Sequence, residues 1–259
     1  MRAPLFLLAV LISLSAHAEP SGLIRDGAAR VVGIVDGDTV MLDSGVEVRL
    51  VGLQAPKLAL GRRGFVEWPL ADRSRDALAD LVLDRRVTLA YGGRRVDRHG
   101  RALAHLINED GLWVQGEMLR LGMARVYSFA DNRTAVAEML AAEGEARAAG
   151  AGIWNHPFYA VRTVEEADRL HDSFQLVEGV VIDAAKVRGR VYLNFGTNWR
   201  DDFTVSIAPS DVRAFGEAGQ DPLGLTGRRV RVRGWIYERN GPMIDATHPE
   251  QIELIEDVE

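Results

Sequence analysis

Between residues 29 and 51 the chain alternates short β-branched or apolar runs with tight-turn signals, and this alternation dictates a β-meander. The runs cover 29–35, 39–42 and 47–51, and Asp36-Gly37 and Ser44-Gly45 separate them. Asp and Gly favour such turns because they tolerate the backbone angles a reversal needs. Segments this short satisfy their backbone groups by pairing with neighbours. Helical signals follow. Pro69 opens a helix predicted over 70–82, with Leu70, Ala77, Leu78 and Leu81 as its apolar positions. Strand character returns at 86–90 and 102–107. A helix over 114–121 stops at Gly122, and another over 133–149, capped by Asp131 or Asn132, stops at Gly150-Ala151-Gly152.

The second half is also strand-rich. Residues 155–161 read as a linker, and Thr163-Val164-Glu165-Glu166 as the capping-box start of a short helix ending near His171. Strands are expected at 175–182, 190–195, 202–207, 229–237 and 243–246, with Asn240-Gly241 as a hairpin turn. The expected fold class is mainly β with helices (α+β). A first unit spans 25–157, a connecting segment 158–173, and a second small OB-like β-barrel 174–259. No sequence repeat links the halves. Arg229-Val230-Arg231-Val232-Arg233 alternates strictly, which on a strand places three Arg on one face and two Val in the core. Those Arg either track a phosphate backbone, with Tyr192, Trp199, Trp235 or Tyr237 as stacking platforms, or form a solvated face paired with the acidic tail over core aromatics.

The N-terminus has its own pattern: Arg2, an apolar run over 5–14, and Ala16-His17-Ala18. This is the order of a secretory signal peptide over 1–18, and the run is shorter than the roughly 18 residues a membrane span needs. Export to a periplasm or beyond the cell is expected, with no membrane span. The chain has no cysteine, which excludes disulfides and thiolate metal sites. His99, His105, His156, His171 and His248 lack zinc-ligand spacing. A net charge of −6 argues against a general electrostatic grip on nucleic acid, but six acids and no Lys or Arg lie between Gly241 and Glu259. The Arg-rich middle is therefore closer to neutral.

Within the meander stands Val35-Asp36-Gly37-Asp38-Thr39-Val40; Arg49 follows Asp38 by eleven residues, and Asp97-Arg98-His99-Gly100-Arg101 comes later. Taken singly, the first is a tight turn and each Arg a solvated strand residue. In this order, over residues 29–154, they resemble the staphylococcal nuclease (thermonuclease) family. The resemblance implies a small OB-type barrel with packed helices and metal-dependent hydrolysis of DNA or RNA phosphodiesters. It places Asp38 at the first metal aspartate, Arg49 and Arg101 at the phosphate clamps, and calcium as the metal. The chemistry is coherent: a hard cation prefers several oxygen ligands, an Arg fork matches phosphate oxygens, and a carboxylate base activates water.

The departures from that pattern matter as much. Gln54 stands where the resemblance implies the second metal aspartate, Ala55 where it implies Thr, and Lys57 where it implies the general-base Glu. Loss of a general base costs about 10²–10⁴-fold, or ~3–5 kcal/mol of barrier. The calcium site is reduced to Asp38 with Gln54. Two outcomes stay open. In one, Glu67 or Asp72 moves in as a substitute acid. In the other, Lys57 joins Arg49 and Arg101 as a three-cation cradle that binds phosphate, with Arg62 and Arg63 beside Phe65 extending it along a strand. The plain alternative for residues 61–65 is a solvated loop. The expectation is an exported nuclease-like protein that engages nucleic-acid phosphodiesters. The competing class is a non-catalytic scaffold of the cell envelope that binds nucleic acid, or a protein partner through its C-terminal half.

Overall fold

The computed structural model describes residues 19–255, so the leader expected at 1–18 and the tail acids Glu256, Asp257 and Glu259 lie outside the described residues. The spine of the first half is β1 (Ile24–Asp36), thirteen residues long. Register shifts between Arg25 and Ala28 and between Val31 and Gly33 let one strand serve two neighbours. β2 (Thr39–Leu42) turns back antiparallel on the end of β1, and β3 (Glu47–Leu50) on β2. After the short β4 (Leu53–Gln54) and helix α1 (Ala71–Val82) come β5 (Arg86–Tyr91) and β6 (Ala102–Asn108). β6 runs parallel to β3 and antiparallel to β5, and β5 pairs with the start of β1. The five strands close into a barrel in the order β1-β2-β3-β6-β5.

Val31, Val40, Val48, Leu50 and Leu106 fill the barrel. Helices α2 (Val114–Arg120) and α3 (Val136–Ala148) pack against it through Met118, Leu119 and Met139, with Trp113 buried beside them. β7 (Arg125–Val126) pairs with β4. α3 begins three residues later than the sequence predicts and has no side-chain cap. Asn132, an expected cap, instead donates to the Arg94 carbonyl at 2.9 Å.

Two expectations for the connecting region fail. Residues 155–161 are not a loose linker. The 3-10 turns Gly152–Asn155 and Pro157–Tyr159 carry the chain there, and the buried Tyr159 hydroxyl donates to Pro69 at 2.6 Å. The Thr163 amide does donate to Glu166 at 2.8 Å, half of a capping box. The helix nevertheless shrinks to a 3-10 turn, Ala167–Arg169, because Arg162–Thr163 is drawn into the sheet as β8 beside β9 (Ser173–Val180).

The remaining strands are β10 (Asp183–Val187), β11 (Arg190–Asn194), β12 (Thr204–Ile207), β13 (Arg229–Glu238), β14 (Pro242–Asp245) and β15 (Ile252–Leu254), with helix α4 (Val212–Glu217) between β12 and β13. β8 to β15 form an eight-stranded sheet around a separate core that includes Leu193, Val205, Phe215, Val232 and Ile244. Its pairings repeat those of the barrel. β10–β11 and β11–β12 are antiparallel, β12–β14 is parallel, and β14–β13 and β13–β9 are antiparallel. Two residues separate β9 from β10. Val181 donates to Arg228 at 3.0 Å and Ile182 to Asn194 at 2.8 Å, so this stretch keeps a neighbour on each side. Taken as one bent strand, β9–β10 plays the part of β1. Pairing order lies in the backbone ladder, so it repeats where the side chains do not.

The arginine face does pair with the acidic C-terminal segment, through Glu253, but it is not the solvated stripe expected. Val230 and Val232 are core, but Arg233 is fully buried. Arg233 meets Glu143 of α3 at 2.7 Å and Glu253 at 2.5 Å, while Arg229 and Arg231 pair with Glu178. At Arg233 this face of β13 is covered by the first half of the chain, through Glu143 and the Val126 carbonyl. Trp199 and Trp235, about half exposed, are not core.

Candidate functional site

The turn Asp36-Gly37-Asp38 is shaped by what lies behind it. A Cβ on Gly37 would sit 2.0 Å from the Ser74 hydroxyl of α1 and 2.8 Å from the Ala55 Cβ. Glycine is thus required by close approach of helix and strand. Beyond the turn, Thr39 pairs with Arg49 across β2 and β3, and the Leu50 amide donates to the Asp38 carbonyl at 2.8 Å. This register brings the Arg49 guanidinium under the Asp38 carboxylate.

Asp38 is wholly buried and its oxygens are fully engaged. Lys57 Nζ lies 2.7 Å from Oδ1 and 2.6 Å from Oδ2. Arg49 Nη1 approaches Oδ1 at 3.0 Å, and the Ala55 amide donates to Oδ2 at 2.8 Å. Lys57 also reaches Asp36 at 3.2 Å. The same Nη1 donates to the carbonyls of Asp38 and Leu50, and Nη2 donates to that of Leu53. Two acids and two bases thus form a closed, neutral cluster. Burial pushes the Asp38 carboxyl up, but Arg49 and Lys57 outweigh it and hold it down at about 2. Asp36 is raised, by burial first and then by the neighbouring Asp38 charge, against the pull of Lys57.

The expected three-cation cradle is therefore not formed: Lys57 and Arg49 face carboxylates. The substitute acids do not arrive either. Glu67 accepts from the Ala59 amide at 3.2 Å, and Asp72 pairs with Arg75 at 2.8 Å. Gln54 turns from Asp38, and its Oε1 accepts from Arg125 Nε at 2.8 Å. Arg125, buried, also donates to the Phe174 carbonyl of β9 at 2.9 Å. Burial lowers this guanidinium to about 10. The donor set does not fit calcium, which needs several uncommitted oxygens. Arg62 stacks over Phe65 at 3.7 Å and donates to Ala59, and Arg63 is exposed on the same loop.

On the neighbouring surface a cleft of about 460 Å³ is lined by Arg49, Arg94, Arg98 and Arg101, together with Tyr127 and Phe129; Lys57 is not among its lining residues. Asp97 builds one wall. Its carboxylate accepts from the His99 and Arg101 amides at 2.8 and 3.0 Å and from Arg101 Nε at 2.8 Å. Burial would raise Asp97, but the Arg101 bonds prevail and its pKa is lowered. Arg98 is exposed and, among the described residues, has no carboxylate within ion-pair distance. Phe129 is half exposed and packs edge-on against Tyr127, with ring centroids 4.9 Å apart. Sequence reasoning singled out Arg49 and Arg101 but missed Arg94, Arg98, Tyr127 and Phe129. The Arg98 signal was present in the D-x-x-G-R motif. The aromatic pair follows β7, and only the β4–β7 pairing brings it to the cleft.

Cation-binding spacing is also absent from the scattered histidines in sequence, yet the fold brings Asp168, His171 and Glu238 together at the surface, with ligating atoms within 4.8 Å of one another. Asp168 and Glu238 are exposed, and His171 Nε2 lies 3.9 and 3.2 Å from them, a polar surface cluster.

Comparison with known proteins agrees with this geometry. A family model described as "Staphylococcal nuclease homologue" matches residues 47–156. A protein named "Uncharacterized endonuclease" from Escherichia coli O157:H7 is 35% identical over 136 residues, covering 51% of this chain and 80% of its own. "Protein ParB" of Escherichia coli is 34% identical over 174 residues, covering 61% of this chain and 85% of its own. "Probable endonuclease LCL3" of Phaeosphaeria nodorum is 36% identical over 118 residues, 43% of this chain and 38% of that one. The family match takes in β3 to β7, with Arg49 and the Arg101 loop, and the chain belongs to the staphylococcal nuclease homologue family.

Proposed function

We propose that this protein is an exported, nucleic-acid-binding member of its family that holds the phosphodiester backbone of a single strand of DNA or RNA in the cleft beside Arg98 and Arg101. The observation that carries this is the composition of the cleft. Four arginines line it beside Tyr127 and Phe129, a pairing of backbone charge with stacking surface that suits a single strand. Arg98 and Arg101 supply forked donors for non-bridging oxygens, and the aromatic pair offers ring faces to bases. Export rests on the N-terminal pattern of Arg2, apolar 5–14 and Ala16-His17-Ala18. No helix among the described residues is long and apolar enough to cross a membrane.

Hydrolysis is the second reading, favoured by the relatives whose names include endonuclease. Arg98 and Arg101 would then stabilise charge on the phosphoryl oxygens. The activated water lacks a matched base, because Asp97, the acid against Arg101, has a lowered pKa and is committed to its loop. Any cleavage is therefore expected to be slow.

Fluorescence anisotropy with labelled single-stranded DNA and RNA, run beside a gel assay for cleavage, tests both readings. Arg101→Ala should weaken binding about 10–100-fold, the scale of one charge-assisted hydrogen bond. No binding by the folded native chain at low salt would sink the proposal. Rapid cleavage abolished by Arg101→Ala would make the second reading the right one.

A further inference from the structure

We infer that Lys57 is the resident cation of this barrel, closing its acids to calcium, so that the cleft handles phosphate without a divalent metal. The inference rests on the phosphate reading of the cleft only for that last consequence; its ion-binding core stands alone. A hard divalent ion needs six to eight oxygen ligands at about 2.3–2.6 Å, mostly from carboxylates and carbonyls. Here the ammonium bridges both Asp38 oxygens at 2.7 and 2.6 Å and one Asp36 oxygen at 3.2 Å. It thus occupies the space between the two acids where an ion would have to sit.

The other donors are committed as well. Asp36 Oδ1 accepts from the Asp38 amide at 3.1 Å, and Asp38 Oδ2 from the Ala55 amide at 2.8 Å. Gln54 is held away by Arg125, which also anchors the Phe174 carbonyl. Swinging the Gln54 amide back would strip an acceptor from a buried guanidinium. The Lys57 backbone is pinned in turn, its carbonyl accepting from Trp68 at 3.0 Å. Charge completes the argument. Asp36 and Asp38 against Lys57 and Arg49 is already neutral, so an entering dication gains no attraction unless Lys57 leaves.

Calorimetric titration of the purified chain with calcium chloride, and the thermal midpoint with calcium or with chelator, test this directly. The native chain should give no specific heat and no midpoint shift. Lys57→Glu, which trades the ammonium for a third carboxylate, should bind calcium and gain several degrees on its addition. Lys57→Gln, a milder change that serves if Lys57→Glu fails to fold, should gain a weaker version of the same response. Calcium binding by the native chain at sub-millimolar concentration overturns the inference. So does a folded Lys57→Glu or Lys57→Gln that stays silent to calcium, since Lys57 would then not be what excludes the ion. Oligonucleotide anisotropy with and without chelator separates this inference from the proposed function. Absent oligonucleotide binding with the expected ion results would leave Lys57 assigned and overturn the cleft's role. Chelator-sensitive binding would overturn the metal-free consequence.

Discussion

Arg233 of β13 and Glu143 of α3 meet 2.7 Å apart with both side chains wholly shielded from solvent. Each comes from a different half of the chain; Arg233 also holds Glu253, but Glu143 has no other ion-pair partner among the described residues and would be an uncompensated buried charge without Arg233. Arg233→Met should therefore destabilise the protein by about 3–5 kcal/mol, while Arg233→Met with Glu143→Leu should recover most of the loss. Urea unfolding of the three proteins measures this. A double variant as unstable as the single would mean the cost lies in packing and not in charge.

The arginine and aromatic contributions to the cleft should separate by salt. Arg98, exposed and unmatched by a carboxylate among the described residues, should act on phosphate. Arg98→Ala should weaken binding and reduce the slope of log affinity against log salt by about 1. Phe129→Ala should cost about 1–3 kcal/mol for a single strand and leave that slope unchanged. Anisotropy across a salt series distinguishes them.

Much of the site is legible in the sequence because local register carries it. Asp38, Arg49 and Lys57 lie on neighbouring strands and turns within twenty residues, so motif order and spacing place them together. Lys57 announces the loss of a base without any structure. What the sequence hides is partnership across the fold. Strand alternation assigns Arg233 a face opposite Val232, but does not reveal that α3 covers that face. Likewise, Gln54 reads as a weakened ligand until Arg125, seventy-one residues away, claims its oxygen. Pairing of Arg233 with the acidic C-terminal segment is one of the two readings the sequence allows, and Glu253 meets it; that Glu250 reaches Arg133 of the first half is not legible. The repeated pairing order of the halves leaves no trace in side chains at all.

Acid should loosen that seam before it touches the site. Ser128 Oγ lies 2.7 Å from His248 Nε2. Gln251 Nε2 donates to the Arg233 carbonyl, so its Oε1 accepts from the Thr247 hydroxyl. Thr247 Oγ1 therefore accepts from His248 Nδ1, which leaves Nε2 to accept from Ser128. Burial lowers His248 from 6.5 to about 4, with Glu250 opposing and Arg133 adding to the shift. The fold thus prefers neutral imidazole. Its contribution is complete above pH 6.5 and is lost as pH falls toward 4. Asp38, held at about 2, runs in the same direction in a lower window: its contribution is complete above pH 3.8 and is lost as pH falls toward 2. Thermal midpoints between pH 7 and 4 should fall in the native chain and fall less in His248→Gln. Equal slopes would move the acid sensitivity to another group.

The turn that carries Asp38 depends on the absence of a side chain at Gly37. Gly37 and Gly45 both look like ordinary turn glycines in sequence, yet their surroundings differ. A Cβ at Gly45 would meet nothing within 4 Å, and its φ of +78 makes Gly45→Ala a matter of local strain. A Cβ at Gly37 would lie 2.0 Å from Ser74 Oγ, the hydroxyl that donates to Met123 at 2.7 Å. Gly37→Ala must push α1 away or break that bond, and core overpacking of this kind costs about 1–3 kcal/mol. It also shifts the strand end that aims Asp38 at Lys57, so oligonucleotide affinity should fall along with the thermal midpoint. Ser74→Gly removes the helix-side obstruction at a helix cost of about 1 kcal/mol and leaves the Ala55 Cβ at 2.8 Å, so in combination it should restore affinity and stability only in part. A Gly37→Ala protein with native affinity and a lowered midpoint would show that the turn supports the barrel without tuning the cleft.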